Sequence, residues 1–219
     1  MRKVVKTGAG AALLGDPALA AAIVRAVRAV TPDHIPVTAK IRSGLRSGHE
    51  GWRIVGPRLV EAGAAAICIH PRTASQLYRG DADHSVTFAL AELLPVPVIA
   101  SGDVGSRADC LALLDGGAAA VMAARAALGR PWIFAEMLGG PEPEHAARFK
   151  ELTLFVEESL IAMGSRAIGY LRQFWPRFRA SGVIDKDAAR SLMGAQDAAQ
   201  LRASLAALSL FYTGAEKGL

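Results

Sequence analysis

Residues 96–103 read Val-Pro-Val-Ile-Ala-Ser-Gly-Asp, a short apolar run that stops at a polar, glycine-bearing tag. An apolar run of this length bounded by turn formers has the character of a buried strand. Pro97 begins it, where a missing N–H costs no ladder bond. Gly102 gives the chain freedom for a sharp exit, and Arg107 to Leu114 beyond it reads as a helix, with Asp103 or Ser106 as its cap. The same unit recurs on both sides. Upstream lie Pro36-Val-Thr-Ala-Lys40-Ile-Arg42 and the run from Ala64 to His70, which leads into Pro71-Arg72-Thr73; downstream, after Gly116-Gly117, comes Ala120-Val-Met-Ala-Ala124-Arg125. The tags return at intervals of roughly 20 to 35 residues with a helix-like stretch in each gap, the spacing of parallel βα units.

The remaining elements fit that frame. Asp16 caps a helix over residues 16–30, Pro17 suits its first turn, and Ile23, Val24, Val27 and Val30 give it an apolar stripe. A helix from Trp52 to Ala62 ends at Gly63. The loop from Pro71 to His84 holds Arg72, Gln76, Tyr78, Arg79 and Asp81, and a loop of that length at a barrel mouth shapes a site. Gly139-Gly140-Pro141 is the clearest linker. It divides the chain into a strand-and-helix domain, 1–139, and a helical domain, 140–219, in which the patterning suggests four helices. In barrels built of βα units the groups at the carboxyl ends of the strands meet at one mouth, so Lys40, His70, Gly102 and Arg125 are expected to converge on a shared ligand. Only four units are present, half of the eight that a (β/α)8 barrel needs. Four strands leave two open edges, a liability unless a partner copy covers them; the oligomeric state stays open.

Composition narrows the class. The 219 residues are 52% hydrophobic and 21% charged, enough apolar material for one sizeable core with or without a small appendage. No uninterrupted apolar run approaches the roughly 18 residues of a membrane span. Met1-Arg2-Lys3 before an Ala-rich stretch has the start of a signal peptide, but Asp16-Pro17, Arg25 and Arg28 interrupt any apolar region, so no export and no membrane association are expected. The two cysteines, Cys68 in a strand and Cys110 in a helix, offer neither a disulfide framework nor metal-ligand spacing. Both read as small buried apolar residues in a protein of the reducing cytoplasm. The net charge of +5 favours an anionic partner. Most of the basic residues are arginine, which suits forked phosphate contacts, although GC-rich coding enriches arginine and alanine too.

Five stretches taken in order resemble the tRNA-dihydrouridine synthases: Lys6 to Leu14, Val37 to Arg42, Ile69-His70-Pro71-Arg72-Thr73, Ile99-Ala100-Ser101-Gly102-Asp103, and Ala124-Arg125 running on to Leu128-Gly129-Arg130-Pro131-Trp132-Ile133-Phe134. The likeness covers Arg2 to Phe134, with a looser match in the helical tail. It implies an α/β protein, the C-terminal half of a TIM barrel (strands five to eight) followed by a small all-α tRNA-binding domain. It also implies FMN as cofactor, NADPH as its reductant, and reduction of the uracil C5=C6 bond in tRNA. Lys40 matches the family lysine at the flavin's N1/O2 edge, where a cation stabilises the anionic reduced form. His70 matches the strand-end histidine that hydrogen-bonds flavin or substrate. Ser101-Gly102-Asp103 stands where the family has Asn-Gly-Asp and Ala124-Arg125 where it has Gly-Arg, both in the FMN phosphate grip. Arg72, Arg166 and Arg172 are substrate-binding candidates, and no metal is implied. The family's proton donor is a cysteine in an Asn-x-Gly-Cys-Pro tag just ahead of the segment resembling Arg2 to Lys6. That cysteine is expected to be absent from this chain, which is then inactive alone.

Simpler readings stand beside these. A strand-end lysine also reaches solvent, His70 also suits a structural role, and Ser101-Gly102-Asp103 is also an ordinary strand-to-helix turn. Trp132 and Phe134 read as core aromatics. Arg166, Arg172, Arg177 and Arg179 alternate with Tyr170, Phe174, Trp175 and Phe178, with Pro176 breaking the helix. That pattern fits RNA backbone and unstacked bases, or equally a charged face over an aromatic core. A non-catalytic RNA-binding remnant and a small-molecule flavin barrel remain the alternatives.

Overall fold

In the computed structural model of the chain, which describes residues 2–214, four strands form one parallel sheet: β1 (Thr38–Arg42), β2 (Ala66–His70), β3 (Val98–Ser101) and β4 (Ala120–Met122). They lie side by side in chain order, as successive βα units require. Before and between them run α1 (Arg2–Lys6), α2 (Pro17–Val30), α3 (Trp52–Glu61), α4 (Ser85–Leu93) and α5 (Arg107–Asp115). Register places Lys40 opposite Cys68, Arg42 opposite His70, Cys68 opposite Ile99 and Ser101 opposite Met122. Side chains alternate between faces, so the sheet has two different sides. Ala39, Ile41, Ile67, Ile69 and Val98 pack with Trp52, Val55, Leu59 and Leu90 of the helices to form the core. The other side carries Lys40, Arg42, Cys68, His70 and Ser101. A four-stranded parallel sheet alternating with helices is consistent with part of a TIM barrel.

Local signals set the boundaries. Leu19 N–H donates to Asp16 Oδ1 at 3.0 Å, capping α2. Ser106, not Asp103, caps α5 by accepting from Asp109 N–H at 3.1 Å. The stripe of α2 is helical but only Val24 of it packs against the core: Ile23 and Val27 are each 45% exposed and Val30 83%, while Ala20 and Ala21 are buried. Small residues on the inner face let α2 lie close to α3, and the larger side chains take the outer positions.

Contacts divide the described residues at Ala124/Arg125 into two compact units. The second is helical: α6 (Ile133–Met137), α7 (His145–Met163), α8 (Arg166–Leu171), α9 (Trp175–Ala180), α10 (Lys186–Gly194) and α11 (Ala198–Gly214). Beyond residue 140 there are thus five helices among the described residues rather than four. Gly164, at φ 58°, ends α7, and Pro176 in the first turn of α9 separates it from α8. Phe149, Leu152, Val156, Leu171, Trp175 and Phe178 form the centre of this unit's core, and Trp132 joins it. Phe134 does not; it is 51% exposed. On so short a helix Ile133 takes the buried position instead. Gly129 is required where it stands. Its φ is +76°, and a Cβ there would come within 2.7 Å of the backbone of Arg177 and Phe178, while Ser181 Oγ donates to Gly129 O at 2.7 Å.

Candidate functional site

The polar side of the sheet gathers chemistry at its carboxyl end. From β1, Lys40 Nζ donates to Ser101 Oγ of β3 at 3.2 Å, reaching across β2. Lys40 is exposed while Ser101 is buried. Cys68 lies beneath that bridge. Burial pushes its thiol pKa up, and the charge and hydrogen bond of Lys40 oppose the rise. The thiol therefore stays protonated at neutral pH and behaves as a packed side chain. Cys110 is half-buried on α5.

Past the end of β2, Arg72 is 2% exposed and uses its whole guanidinium. Nη1 donates to Asp103 Oδ1 at 2.8 Å, Nη2 to Asp103 Oδ2 at 2.5 Å, and Nε and Nη2 to Gly80 O at 3.2 and 2.5 Å. Nη1 also lies 3.2 Å from His70 Nε2. Asp103 takes a further donor, Ala82 N–H at 2.8 Å. It sits at φ 54°, a left-handed conformation that aspartate tolerates better than most residues. Gly102 before it has φ 112°, and a Cβ there would meet His70 Cδ2 at 2.7 Å and Ala82 Cβ at 3.2 Å. His84 Nε2 lies 3.0 Å from Gly102 O and its Nδ1 3.2 Å from Thr87 Oγ1. A carbonyl only accepts, so His84 carries its proton on Nε2. The 101–103 turn is thus held from both sides by the β2–α4 loop.

That loop is also fastened to β1. Arg42 Nη1 donates to Thr73 O at 2.8 Å and Leu77 O at 3.1 Å, and the guanidinium lies 6.0 Å from the Tyr78 ring centre. Ala74 N–H donates to Gly44 O and Ser75 N–H to Leu45 O, at 2.8 and 3.0 Å. Partial burial first, then the positive charges of Arg42, Lys40 and Arg72, push the His70 pKa down to about 4, with Asp103 opposing. His70 is therefore neutral at physiological pH. A cavity of about 450 Å³ opens beside β1; Lys40, Arg42, His70 and Tyr78 form its polar end, and Leu14 and Val24 belong to its apolar wall.

The sequence-derived candidates divide accordingly. Lys40, His70, Arg72, Ser101, Gly102 and Asp103 come together. Ala124 follows β4, which pairs in parallel with β3, so the turns at 101 and 123 leave the sheet at the same end. Arg125 opens the second unit in a single 3-10 turn. Arg166 and Arg172 belong to that unit and are exposed, Arg172 donating to Ala195 O at 3.4 Å. The mixed basic and aromatic stretch separates by direction: Arg166, Arg172, Arg177 and Arg179 point to solvent, Trp175 and Phe178 are buried, and Tyr170 is 37% exposed. Sequence reasoning missed His84 and the pairing of Arg72 with Asp103. The available signal was an aspartate directly after a glycine in a strand-exit turn, a position where a left-handed residue needs a strong side-chain anchor. Among the described residues no group of three or more His, Cys, Asp and Glu could hold a metal ion, and no helix is long and apolar enough to cross a membrane.

Comparison with known proteins bears on the same residues. The family model described as dihydrouridine synthase matches residues 1–211. The chain is 41% identical over 142 residues to a probable tRNA-dihydrouridine synthase of Treponema pallidum, covering 61% of this chain and 42% of that protein. It is 39% identical over 137 residues to tRNA-dihydrouridine synthase B of Xanthomonas axonopodis pv. citri, 62% of this chain and 41% of the relative. A probable tRNA-dihydrouridine synthase of Mycobacterium tuberculosis is 42% identical over 149 residues, 64% and 38% of the two chains. The matched region spans about two fifths of the length of these curated relatives.

Proposed function

The chain belongs to the dihydrouridine synthase family, and on that premise we propose that it forms the FMN-binding part of a cytoplasmic enzyme that reduces uridine in tRNA to 5,6-dihydrouridine with NADPH. The observation that carries the reading is the meeting of Lys40, His70 and the Ser101–Asp103 turn at the carboxyl ends of three adjacent parallel strands. FMN, when bound, supplies the reducing electrons for the uracil C5=C6 bond.

The residues present fit that cofactor. Lys40 is an exposed cation at a strand end, the partner an anionic pyrimidine rim needs. Gly102 has a left-handed φ, and His70 and Ala82 pack where a Cβ would stand, so the tight turn at the β3 exit admits only glycine. Asp103 would repel a phosphate if its charge stood alone, but the Arg72 fork already counters it. By the family resemblance Ala124 and Arg125 are assigned to the phosphate grip. His70, neutral, hydrogen-bonds the flavin or the base. The helical residues from 140 onward are assigned to tRNA, with Arg166, Arg172, Arg177 and Arg179 on its phosphates. The Asn-x-Gly-Cys-Pro tag is not in the sequence, and Cys68 and Cys110 do not stand in its place. The proton is assigned to the tag's cysteine, which these 219 residues do not contain, so no turnover is expected of them alone.

Titrating the purified chain with FMN and following flavin absorbance tests this. A yellow complex is expected, as is uridine reduction once the chain is joined to the tag-bearing portion of a relative. Salt-sensitive tRNA binding with no flavin at any concentration would favour the non-catalytic RNA-binding alternative.

A further inference from the structure

We propose that Arg72 is a positioning residue that fixes His70 as the neutral tautomer protonated on Nδ1, making the strand-end histidine a hydrogen-bond donor toward whatever occupies the mouth beside β1. The proposal rests on the reading of His70 as a site residue given above, and it moves Arg72 from contact with substrate to support of another side chain.

Arg72 has five N–H donors and no acceptor, and it keeps its proton at any physiological pH. Four of the five are taken by Asp103 and Gly80 O. The fifth, on Nη1, faces His70 Nε2 at 3.2 Å. A donor that cannot become an acceptor forces Nε2 to accept, so the proton of a neutral imidazole lies on Nδ1. Buried and fully engaged, Arg72 has nothing left for an RNA phosphate.

The surroundings keep the ring neutral. Lys40 and Arg42 face it from β1, Arg72 and Tyr78 from the loop after β2, and Asp103 from the turn after β3. Burial first, and then three cations against one carboxylate, disfavour an imidazolium, in keeping with a pKa of about 4. The Cδ2–Nε2 edge of the ring faces Gly102 and Arg72, which leaves the Nδ1 edge for the ligand. Its N–H suits a carbonyl oxygen, as on uracil or an isoalloxazine, and refuses an amino group such as that of cytosine. A donor facing a donor leaves both unpaired, the stronger kind of discrimination between bases.

The tautomer is readable without flavin or RNA. In the full chain labelled with 15N-histidine, two-bond correlation spectra at neutral pH are expected to show a pyrrole-type Nδ1 and a pyridine-type Nε2 for His70, assigned by loss of its signals in His70→Gln. In Arg72→Met the proton is expected to move to Nε2 in a major part of the population, with the titration midpoint rising from about 4 toward 6.5. Arg72→Lys, which keeps a cationic donor, is expected to restore the Nδ1-protonated form. A wild-type spectrum with the proton on Nε2 would overturn the proposal, and that measurement needs no variant to fold. An unchanged tautomer in folded Arg72→Met would overturn it equally. Failure of the chain to bind FMN would strike the functional reading and leave the tautomer result intact.

Discussion

Arg72 and Asp103 meet in a two-pronged ion pair, Nη1 on Oδ1 at 2.8 Å and Nη2 on Oδ2 at 2.5 Å, and so tie the exit of β2 to the exit of β3. The pair joins two loops that approach each other only because their strands are neighbours in the sheet. Arg72 is almost wholly buried, whereas about a third of the Asp103 side chain meets solvent. Losing either partner leaves the other charge stranded, the costly outcome for a buried pair.

Acid stability reports on His70. Its folded pKa of about 4 lies below the ordinary 6.5, so the unfolded chain binds the proton more readily. The stabilisation from keeping His70 neutral is complete above 6.5 and is lost as the pH falls toward 4. Solvent at this half-buried ring reduces the size of the effect. Thermal midpoints recorded across that window should fall more steeply for the wild type than for His70→Gln; parallel curves would remove His70 from the account.

Gly102→Ala is expected to destabilise the strand unit by about 1–3 kcal/mol, since it combines a left-handed φ with a Cβ pressed on the His70 ring. The urea midpoint should drop with the slope unchanged. A wild-type midpoint would mean that the turn relaxes freely.

Lys40→Met is expected to weaken FMN binding tenfold or more, about 1.4 kcal/mol, by removing the cation proposed for the flavin edge. A second effect is independent of flavin. Lys40 holds the Cys68 thiol below where burial alone would place it, so its loss should raise the pH at which Cys68 reacts with a thiol reagent. Reaction at lower pH would contradict the bridge described above.

Gly129→Ala is expected to cost the helical unit about 2–4 kcal/mol, from a left-handed φ and a methyl group forced on the backbone of α9. Denaturation followed by tryptophan fluorescence measures it, since Trp132 and Trp175 both lie in that core.

Arg172→Ala and Arg179→Ala are each expected to weaken tRNA binding and to lower the slope of log K against log salt by roughly 0.7–0.9, one phosphate contact apiece. A lower affinity with an unchanged slope would mean that these arginines act through packing instead.

What the sequence disclosed was mostly local. Pro97 at a strand start, the Asp16 cap and the glycine-bearing strand exits all act within a few residues, and each stands where its chemistry suggests. The convergence of Lys40, His70 and Gly102 was legible too, because parallel βα units bring successive strand ends to one edge. Arg72 shows the limit. As a residue it reads as a free cation, and only the fold reveals an aspartate 31 positions away that consumes it. Phe134 and the exposed Ile23, Val27 and Val30 of α2 show the same limit for apolar residues. Periodicity reports that a face exists, not which side of the helix the core lies on.

The close seating of Gly129 against α9 reaches beyond stability. Arg177 and Arg179 stand on a helix held by the buried Trp175 and Phe178 and by the close approach of its backbone to Gly129, far upstream in the chain. A screen for altered RNA grip confined to lysines and arginines would overlook this lever, whereas a random library would return an uncharged, interior position among its hits.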